Sequence, residues 1–522
     1  MTGPGRGAGA RPTPGAGLGR TAGRGASATM VGQLIRIVVQ LTGIVILGRL
    51  LGPSDYGLVA SVTAIIGVGE VFRDFGLASA AVQVTELSRN QKDNLFWANT
   101  LIGAALTGIA FACAPLIAGL YGDDRLVQLT QVLSFTFLLN GLATQFRAHL
   151  TRNLRLFAFA ATEISAQVGA LAVGIGMALG GFGFWALAGQ QLSQGVLMLV
   201  LLLVVCRWFP GFFHRRTEMS HFFTYGSGLA GSQLLGYASR NADSVVIGAT
   251  LGAGPLGLYN RAFQLLMLPL NQINAPSTRV ALPVLSRLQN DRKRYGEFIV
   301  LGQAIMLHIV TLVLAFSCAQ ATPVIAIALG DKWLAAAPIF QILSIAGFFQ
   351  AAAYASFWVY LSKGITKQNF YLALVTRPVV IGCILLGSLW GVYGVAAGYA
   401  LGVGLIWPIS LIQISRVTDA PALRMFLTGV RALGGYSFAT AVSYLSTLWL
   451  PGGMPLVNIL VGGVAMAAAL AVVALVWPAF RRDLASIARS RKFLRDTKAS
   501  APGKIPDAAP SEGPLTTTRG EQ

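Results

Sequence analysis

The sequence predicts an all-α integral membrane protein of about 14 transmembrane helices, built as two parallel six-helix repeats followed by two C-terminal helices. Composition is the first ground. Of 522 residues, 54% are hydrophobic and 11% charged, with a mean hydropathy of +0.65, whereas a soluble globular chain carries roughly 25% charged residues. Between Ala26 and Phe480 nearly everything is apolar runs of about 20 or more residues parted by short polar breaks.

The second ground is an internal duplication. Ile44–Val62 (IVILGRLLGPSDYGLVASV) matches Ser244–Ala262 (SVVIGATLGAGPLGLYNRA) at a constant offset of 200 residues. Val45, Gly48, Leu51, Gly52, Gly57 and Leu58 pair with Val245, Gly248, Leu251, Gly252, Gly257 and Leu258. The likeness extends to Leu120–Asp123 (LYGD) with Ala328–Asp331 (ALGD), and to Gly181–Ala188 with Gly391–Ala397. Six spans per copy is an even number, so both copies enter the membrane the same way up, as parallel repeats about an axis along the membrane normal.

The third ground is where the net charge of +20 sits. With Met1 inside, one set of breaks holds Arg6, Arg11, Arg20 and Arg24, Arg89 and Lys92, Arg147, Arg152 and Arg155, and Arg207, Arg215 and Arg216. The later inside breaks hold Arg287, Arg292, Lys293 and Arg294, Lys363 and Lys367, Arg416 and Arg424, and the Lys/Arg after Phe480. The other set holds only Arg125 and Lys332. That bias puts both termini in the cytoplasm and assigns the bases to topology and anionic lipid, with no nucleic-acid partner. Cys113, Cys206, Cys318 and Cys383 lie far apart in or beside apolar runs and read as buried small hydrophobes.

In chain order, residues 1–25 are Gly/Arg/Pro-rich with no apolar h-region, and read as a disordered cytoplasmic tail or an over-extended start before Met30. The first six spans are expected at 27–51, 56–82, 94–121, 126–150, 156–180 and 183–209, forming an N-terminal bundle over 26–209. A cytoplasmic linker, 210–221, leads to a second bundle over 222–416, with spans at 222–251, 256–285, 297–329, 334–361, 367–390 and 391–416. Two extra helices, 424–449 and 455–480, precede a basic tail over 481–522, surface-bound at first and then disordered. Two spans run almost into their successors, so 12 or 13 remains open for the count. Gly391, Gly394, Gly398 and Gly402 share one helix face and predict a helix–helix seam. Pro269, Pro276 and Pro283 predict a kinked or broken eighth span.

Charge inside a bilayer is costly and marks function or internal pairing. Gln33, Arg36 and Gln40 form a stripe on the first span, and Gln233, Tyr237, Arg240, Asp243 and Ser244 form its counterpart on the seventh. Arg36 and Arg240, with Arg261 and Arg279, are the candidate cations of an anion-binding cavity, because guanidinium matches anionic oxygens bidentately. An internal Arg240–Asp243 pair is the structural alternative. Gln145, Gln350, Tyr354 and Trp358 are candidates for sugar contacts, or else interhelical glue. Glu70, Arg73 and Asp74 sit at i, i+3 and i+4 and read as pairing within their helix. Ion coupling through Glu70, Asp74 or Asp243 is the sharper alternative. Arg377 and His308 read as packed structural contacts.

No P-loop, metal motif or nucleophile arrangement occurs, and the outward breaks at 52–55, 122–125, near 181, 252–255, 330–333 and 451–454 are too short to hold a catalytic loop. The sequence therefore predicts a transporter with no cofactor, not an enzyme.

The motifs GRLLGPSDYGLVA (48–60), FRDFGLASAAVQ (72–83), NLFWANTLIG (94–103), RNADSVVIGATLGAGPLGLYNRAFQLLMLPL (240–270) and VALPVLSRLQND (280–291) resemble hallmarks of a known family. It is the bacterial polysaccharide transporter family of lipid-linked oligosaccharide flippases (Wzx-like), within the multidrug/oligosaccharidyl-lipid/polysaccharide exporter superfamily. The resemblance covers roughly 30–480. It implies two bundles of core helices that flip undecaprenyl-pyrophosphate-linked repeat units for exopolysaccharide, capsule or O-antigen. The implied partners are that lipid-linked substrate, membrane lipids, and a polysaccharide polymerase or export machinery around a monomer. A cation-coupled small-molecule exporter of the same superfamily is the second reading, and a membrane glycosyltransferase or polymerase the third.

Overall fold

The computed structural model describes residues 15–74, 84, 87–215, 217, 219, 236–237, 241–450 and 454–487, with the side chains of 15–31 and of Asp74 outside the description. Among the described residues the chain is helical without strands. The first six helices are α1 (Gly15–Leu50), α2 (Pro53–Asp74), α3 (Arg89–Tyr121), α4 (Arg125–Arg152), α5 (Leu156–Leu179) and α6 (Trp185–Cys206). The second copy comprises α7, described over 241–251, then α8 (Ala253–Leu288), α9 (Arg292–Ala319), α10 (Ala321–Ala328), a 3-10 turn (Asp331–Trp333), α11 (Ala336–Ser362), α12 (Thr366–Ser388) and α13 (Gly391–Val417). The chain continues through α14 (Ala422–Thr447) and α15 (Pro455–Val476) to α16 over 478–487.

Eleven described helices are long and apolar enough to cross a membrane, and the protein is a multi-pass membrane protein. α8 falls outside that group because it carries Asn260, Arg261, Gln264, Asn271, Gln272, Asn274 and Arg279. A helix that polar belongs in a bundle interior, not against lipid.

The two copies pack alike. In the first, α3 lies on α4, α4 on α6 and α5 on α6; in the second, α9 lies on α11, α11 on α13 and α12 on α13. Among the described residues, the main contact between the copies is α2 against α8. The α12–α13 seam runs through the glycines expected there: a Cβ on Gly394 or Gly398 would overlap the backbone oxygen of Gly387 or Cys383, and one on Gly402 would lie 2.9 Å from the Val380 Cα. Gly391 serves differently, opening α13 at φ +71°, a conformation glycine adopts without strain.

The eighth span is not broken. α8 continues from Ala253 to Leu288 through Pro269, Pro276 and Pro283, because each proline removes one backbone bond while neighbouring helices hold the rest. The break falls in the ninth span at Gln320. There the Gln320 Nε2 donates to the Ser443 carbonyl at 3.2 Å, and the Ser443 hydroxyl donates to the Gly462 carbonyl at 2.8 Å. His308 and Tyr436 stand 3.3 Å apart, ring nitrogen to hydroxyl, and Gln303 donates to the Met425 carbonyl. Polar side chains thus fasten the final pair of helices to α9 where hydrophobicity alone gives no drive.

Candidate functional site

The site begins at a seal. α2 and α8 cross at their first turns, where a Cβ on Gly57 would overlap the Ala253 carbonyl and one on Gly257 would overlap the Pro53 carbonyl. Gly57 and Gly257 are duplicates, as are Pro53 and Ala253, so the contact is reciprocal about a local two-fold. A second reciprocal pair flanks it. Gly48 faces the Leu329 side chain, and its duplicate Gly248 faces Tyr121, the residue that aligns with Leu329. Trp333 closes the same end: its Nε1 donates to the Gly48 carbonyl at 2.7 Å and its ring meets Tyr56 edge-on at 5.4 Å.

Behind the seal lies a polar tract. A chamber of about 340 Å³ is walled by α2, α6 and α8, with Tyr56, Thr63, Gln190, Gln191, Asn260 and Arg261 in its lining. The Arg261 guanidinium lies 3.5 Å from the centroid of the Tyr56 ring and donates to Gln264. Arginine stacked on an aromatic face keeps its planar fork oriented, with N–H edges available to an anion. Thr63 and Gln191 also line a second chamber of about 440 Å³, bounded by α2, α4, α5 and α6, so the two are contiguous.

The second chamber carries paired charges. The Arg36 guanidinium on α1 meets the Glu163 carboxylate on α5 at 2.6 Å, with about a third of each side chain exposed (36% and 31%). Glu70 pairs with Arg73 one turn on, and Arg73 also donates to Thr144 at 2.8 Å. Asn140 donates to Glu70 at 3.0 Å and accepts from Arg147 at 3.2 Å. Each cavity carboxylate therefore has its own arginine, and Gln191 and Gln194 add neutral hydrogen-bonding groups. Glu163 and these glutamines were not among the residues selected from sequence, although a lone carboxylate in the fifth span is itself a signal.

The remaining candidates scatter. Gln33 is exposed and Gln40 half-buried on the same helix as Arg36. Arg279 is exposed and has no ion pair among the described residues. Gln233, Arg240 and the side chain of Asp74 lie outside the described residues. Tyr237 reaches across to the first copy, its hydroxyl donating to the Thr63 and Ala64 carbonyls at 3.2 Å. Asp243 is buried and accepts from the Tyr259 hydroxyl at 2.9 Å and the Ser244 amide at 2.8 Å.

In the second copy, Gln350 donates to Tyr399 at 2.6 Å. Trp358 donates to the Thr278 hydroxyl, which lies 3.1 Å from Tyr354. These groups satisfy one another within the bundle. Gln145 lines neither chamber; it lies in a small separate pocket near the far end of α4.

Two parallel helical repeats, closed on each other at one end around a charged polar interior, define a membrane transporter. Comparison with known proteins narrows the class: residues 46–338 match the family described as "Polysaccharide biosynthesis protein", and the chain belongs to that family. It is 29% identical over 355 residues to the teichuronic acid biosynthesis protein TuaB of Bacillus subtilis (strain 168), covering 66% of this chain and 72% of that one. It is 23% identical to the lipopolysaccharide biosynthesis protein WzxC of Escherichia coli (strain K12), covering 82% and 84%. It is 24% identical to the succinoglycan biosynthesis transport protein ExoT of Rhizobium meliloti (strain 1021), covering 66% and 70%.

Among solved structures, the lipid II flippase MurJ in an inward closed conformation superposes with a TM-score of 0.68 at 16% identity, covering 88% of this chain and 99% of that one. An inward-facing multidrug resistance MATE transporter of the MOP superfamily gives 0.56 at 15%, covering 73% and 94%. At these identities the likeness is one of fold. The resemblance carried by the sequence motifs is thus to the right family, one of transporters and not of enzymes.

Proposed function

We propose that the protein flips undecaprenyl-pyrophosphate-linked oligosaccharide repeat units across a bacterial inner membrane for exopolysaccharide, capsule or O-antigen synthesis. Its working units are the bundles of 26–209 and 222–416, joined by the linker 210–221. The helices within 424–480 are added to the second bundle, and both tails, 1–25 and 481–522, lie in the cytoplasm. The observation that carries the reading is the continuous polar tract from Arg261 to Glu163 beneath the Gly57–Gly257 seal. A pyrophosphate needs a cation with free donor edges, the sugar needs hydrogen-bonding walls, and the polyprenol needs an exit to lipid.

Arg261 is the first-choice phosphate ligand, with Arg36, Arg240 and Arg279 as further cations along the path. Gln33, Gln40, Gln233, Tyr237, Gln350, Tyr354 and Trp358 stand as the sugar-facing set in states where the bundles part. By the distribution of Lys and Arg, the sealed end faces outward, and the cytoplasmic side is the entry for substrate. Rocking of the bundles about the α2–α8 crossing opens the other side. The protein acts as a monomer beside a polymerase or export complex. Names of relatives such as WzxC and ExoT support this substrate class.

The test is complementation of a strain lacking the chromosomal copy. Arg261→Gln is expected to cut surface polysaccharide at least tenfold while lipid-linked repeat units accumulate in the membrane. Wild-type export from Arg261→Gln and Arg36→Gln alike would remove the cation path from the mechanism.

A further inference from the structure

Tyr56 of the first copy is clamped between two groups of the second. The Trp333 ring meets it edge-on at 5.4 Å, and the Arg261 guanidinium lies 3.5 Å from its ring centroid. We propose that Tyr56 is the residue through which anion binding at Arg261 loosens the seal between the bundles. This rests on Arg261 as the phosphate ligand and adds how occupancy of that site is sensed.

Position is the first ground. Tyr56 precedes Gly57, and Arg261 lies about one turn beyond Gly257. The contact of ring and guanidinium therefore spans the crossing of α2 and α8 itself. Trp333 spans the same boundary, since its Nε1 also donates to the Gly48 carbonyl at 2.7 Å. Parting the bundles at this end draws the Tyr56 ring away from both partners.

The clamp also occurs on one side only of the local two-fold. In the duplication Tyr56 aligns with Leu256 and Arg261 with Ser61, and the match of Leu120–Asp123 with Ala328–Asp331 continues to Arg125 and Trp333. Ser61 donates to the Gly57 carbonyl of its own helix at 3.1 Å. Arg125 pairs with Asp123 at 2.7 Å, and its side chain is 58% exposed. Leu256 is fully buried, so apolar packing is enough to close the corresponding place. An aromatic face on a guanidinium adds what apolar packing lacks, a dependence on charge.

That charge is open to competition. Arg261 makes no ion pair among the described residues, and its side-chain hydrogen bond goes to the neutral Gln264. A phosphate oxygen on the guanidinium edge offsets the charge that attracts the ring. The Tyr56 hydroxyl is buried without a hydrogen-bond partner among the described residues, so no directional bond holds the ring when that attraction weakens. An anion that weakens a contact made only in the sealed state favours the parted one, and parting in turn strengthens anion binding.

The experiment uses the full-length chain in lipid nanodiscs, with Cys113, Cys206, Cys318 and Cys383 replaced by alanine. Nitroxide labels at Asp124→Cys and Ala335→Cys, two exposed positions at the sealed end of the two copies, report sealed and parted populations as spin–spin distances. Inorganic pyrophosphate is compared with chloride at equal ionic strength, and its binding is followed separately by calorimetry. Pyrophosphate is expected to raise the ratio of parted to sealed molecules about two- to thirtyfold, the range spanned by a cation–π contact. Tyr56→Leu should show that rise without anion and respond no further, while Tyr56→Phe, which keeps the ring, should restore the parent response. Arg261→Gln removes the same contact from the other side and should also part the seal without anion, which decides the matter should Tyr56→Leu fold poorly. Arg261-dependent binding of pyrophosphate with an unmoved seal, or an equal response in the parent and in Tyr56→Leu, overturns the coupling and leaves Arg261 as ligand intact. If Arg261→Gln removes no pyrophosphate binding, Arg261 is not the ligand and the coupling falls with it.

Discussion

Gly57 and Gly257 lie against each other's helices with no room for a side chain: a Cβ on Gly257 would sit 3.1 Å from the Gly57 amide nitrogen, and each would overlap a carbonyl of the facing turn. The same two positions pair in the internal duplication of the sequence. The residue pair that reveals the repeat is therefore the pair on which the repeats close. A close approach of two backbones replaces the hydrophobic drive that a bilayer does not supply.

Enlarging one of these glycines should hold the seal apart. Overpacking costs about 1–3 kcal/mol, which lowers the population of the sealed state by roughly 5- to 150-fold. In a background with Cys113, Cys206, Cys318 and Cys383 replaced by alanine, a Thr63→Cys probe should react with an impermeant maleimide from the sealed side only when Gly57→Val is also present. Equal labelling with and without Gly57→Val would contradict the role of the crossing.

The Arg36–Glu163 pair is about one-third exposed, so its net worth to stability is at most about 1 kcal/mol. Glu163→Gln should move the unfolding midpoint by about 2 °C or less, yet it changes the charge of the chamber. Export by Glu163→Gln is expected to fall several-fold. A large loss of stability, with transport per folded molecule unchanged, would make the pair purely structural.

The final helices hang on Gln320, Ser443 and Gly462. A Cβ on Gly462 would overlap the Gln320 amide, so Gly462→Val should part α15 from α10, with a loss of about 1–3 kcal/mol. Ser443→Ala removes two interhelical bonds, one accepted from Gln320 and one donated to Gly462, and should cost about 1 kcal/mol, at about 0.6 kcal/mol for each. Both are read by thermal unfolding in detergent, and Gly462→Val should also expose the α14–α15 connection to protease.

Gly398→Leu tests the α12–α13 seam. Its Cβ would meet the Cys383 backbone, which cannot move aside as a flexible side chain does. The variant should reach the membrane at a small fraction of the wild-type level, whereas Gly382→Leu, where a Cβ would meet nothing within 4 Å, should accumulate normally. Membrane fractions compared by immunoblot give the answer.

Much of the architecture was legible because a bilayer imposes it. Hydrocarbon thickness dictates run length, and every backbone group must be bonded within its own helix, so apolar runs translate almost residue for residue into spans. The fifth span, expected at 156–180, is observed at Leu156–Leu179, and the twelfth, expected at 391–416, at Gly391–Val417. α8 was misjudged as a possible break because proline propensity is local, whereas the helix is retained by its neighbours.

What the chain alone determined, then, is a duplicated membrane transporter: hydropathy, Lys/Arg placement and the spacing of small residues are local or periodic quantities. Which polar groups meet was decided only in three dimensions. Arg36 finds Glu163 across 127 positions of chain, Arg261 lies over Tyr56 of the other repeat, and Gln145, one helix face away from the central tract, falls into a different pocket altogether. The rotation of each helix about its own axis sets those partnerships, and it depends on packing against all neighbours at once.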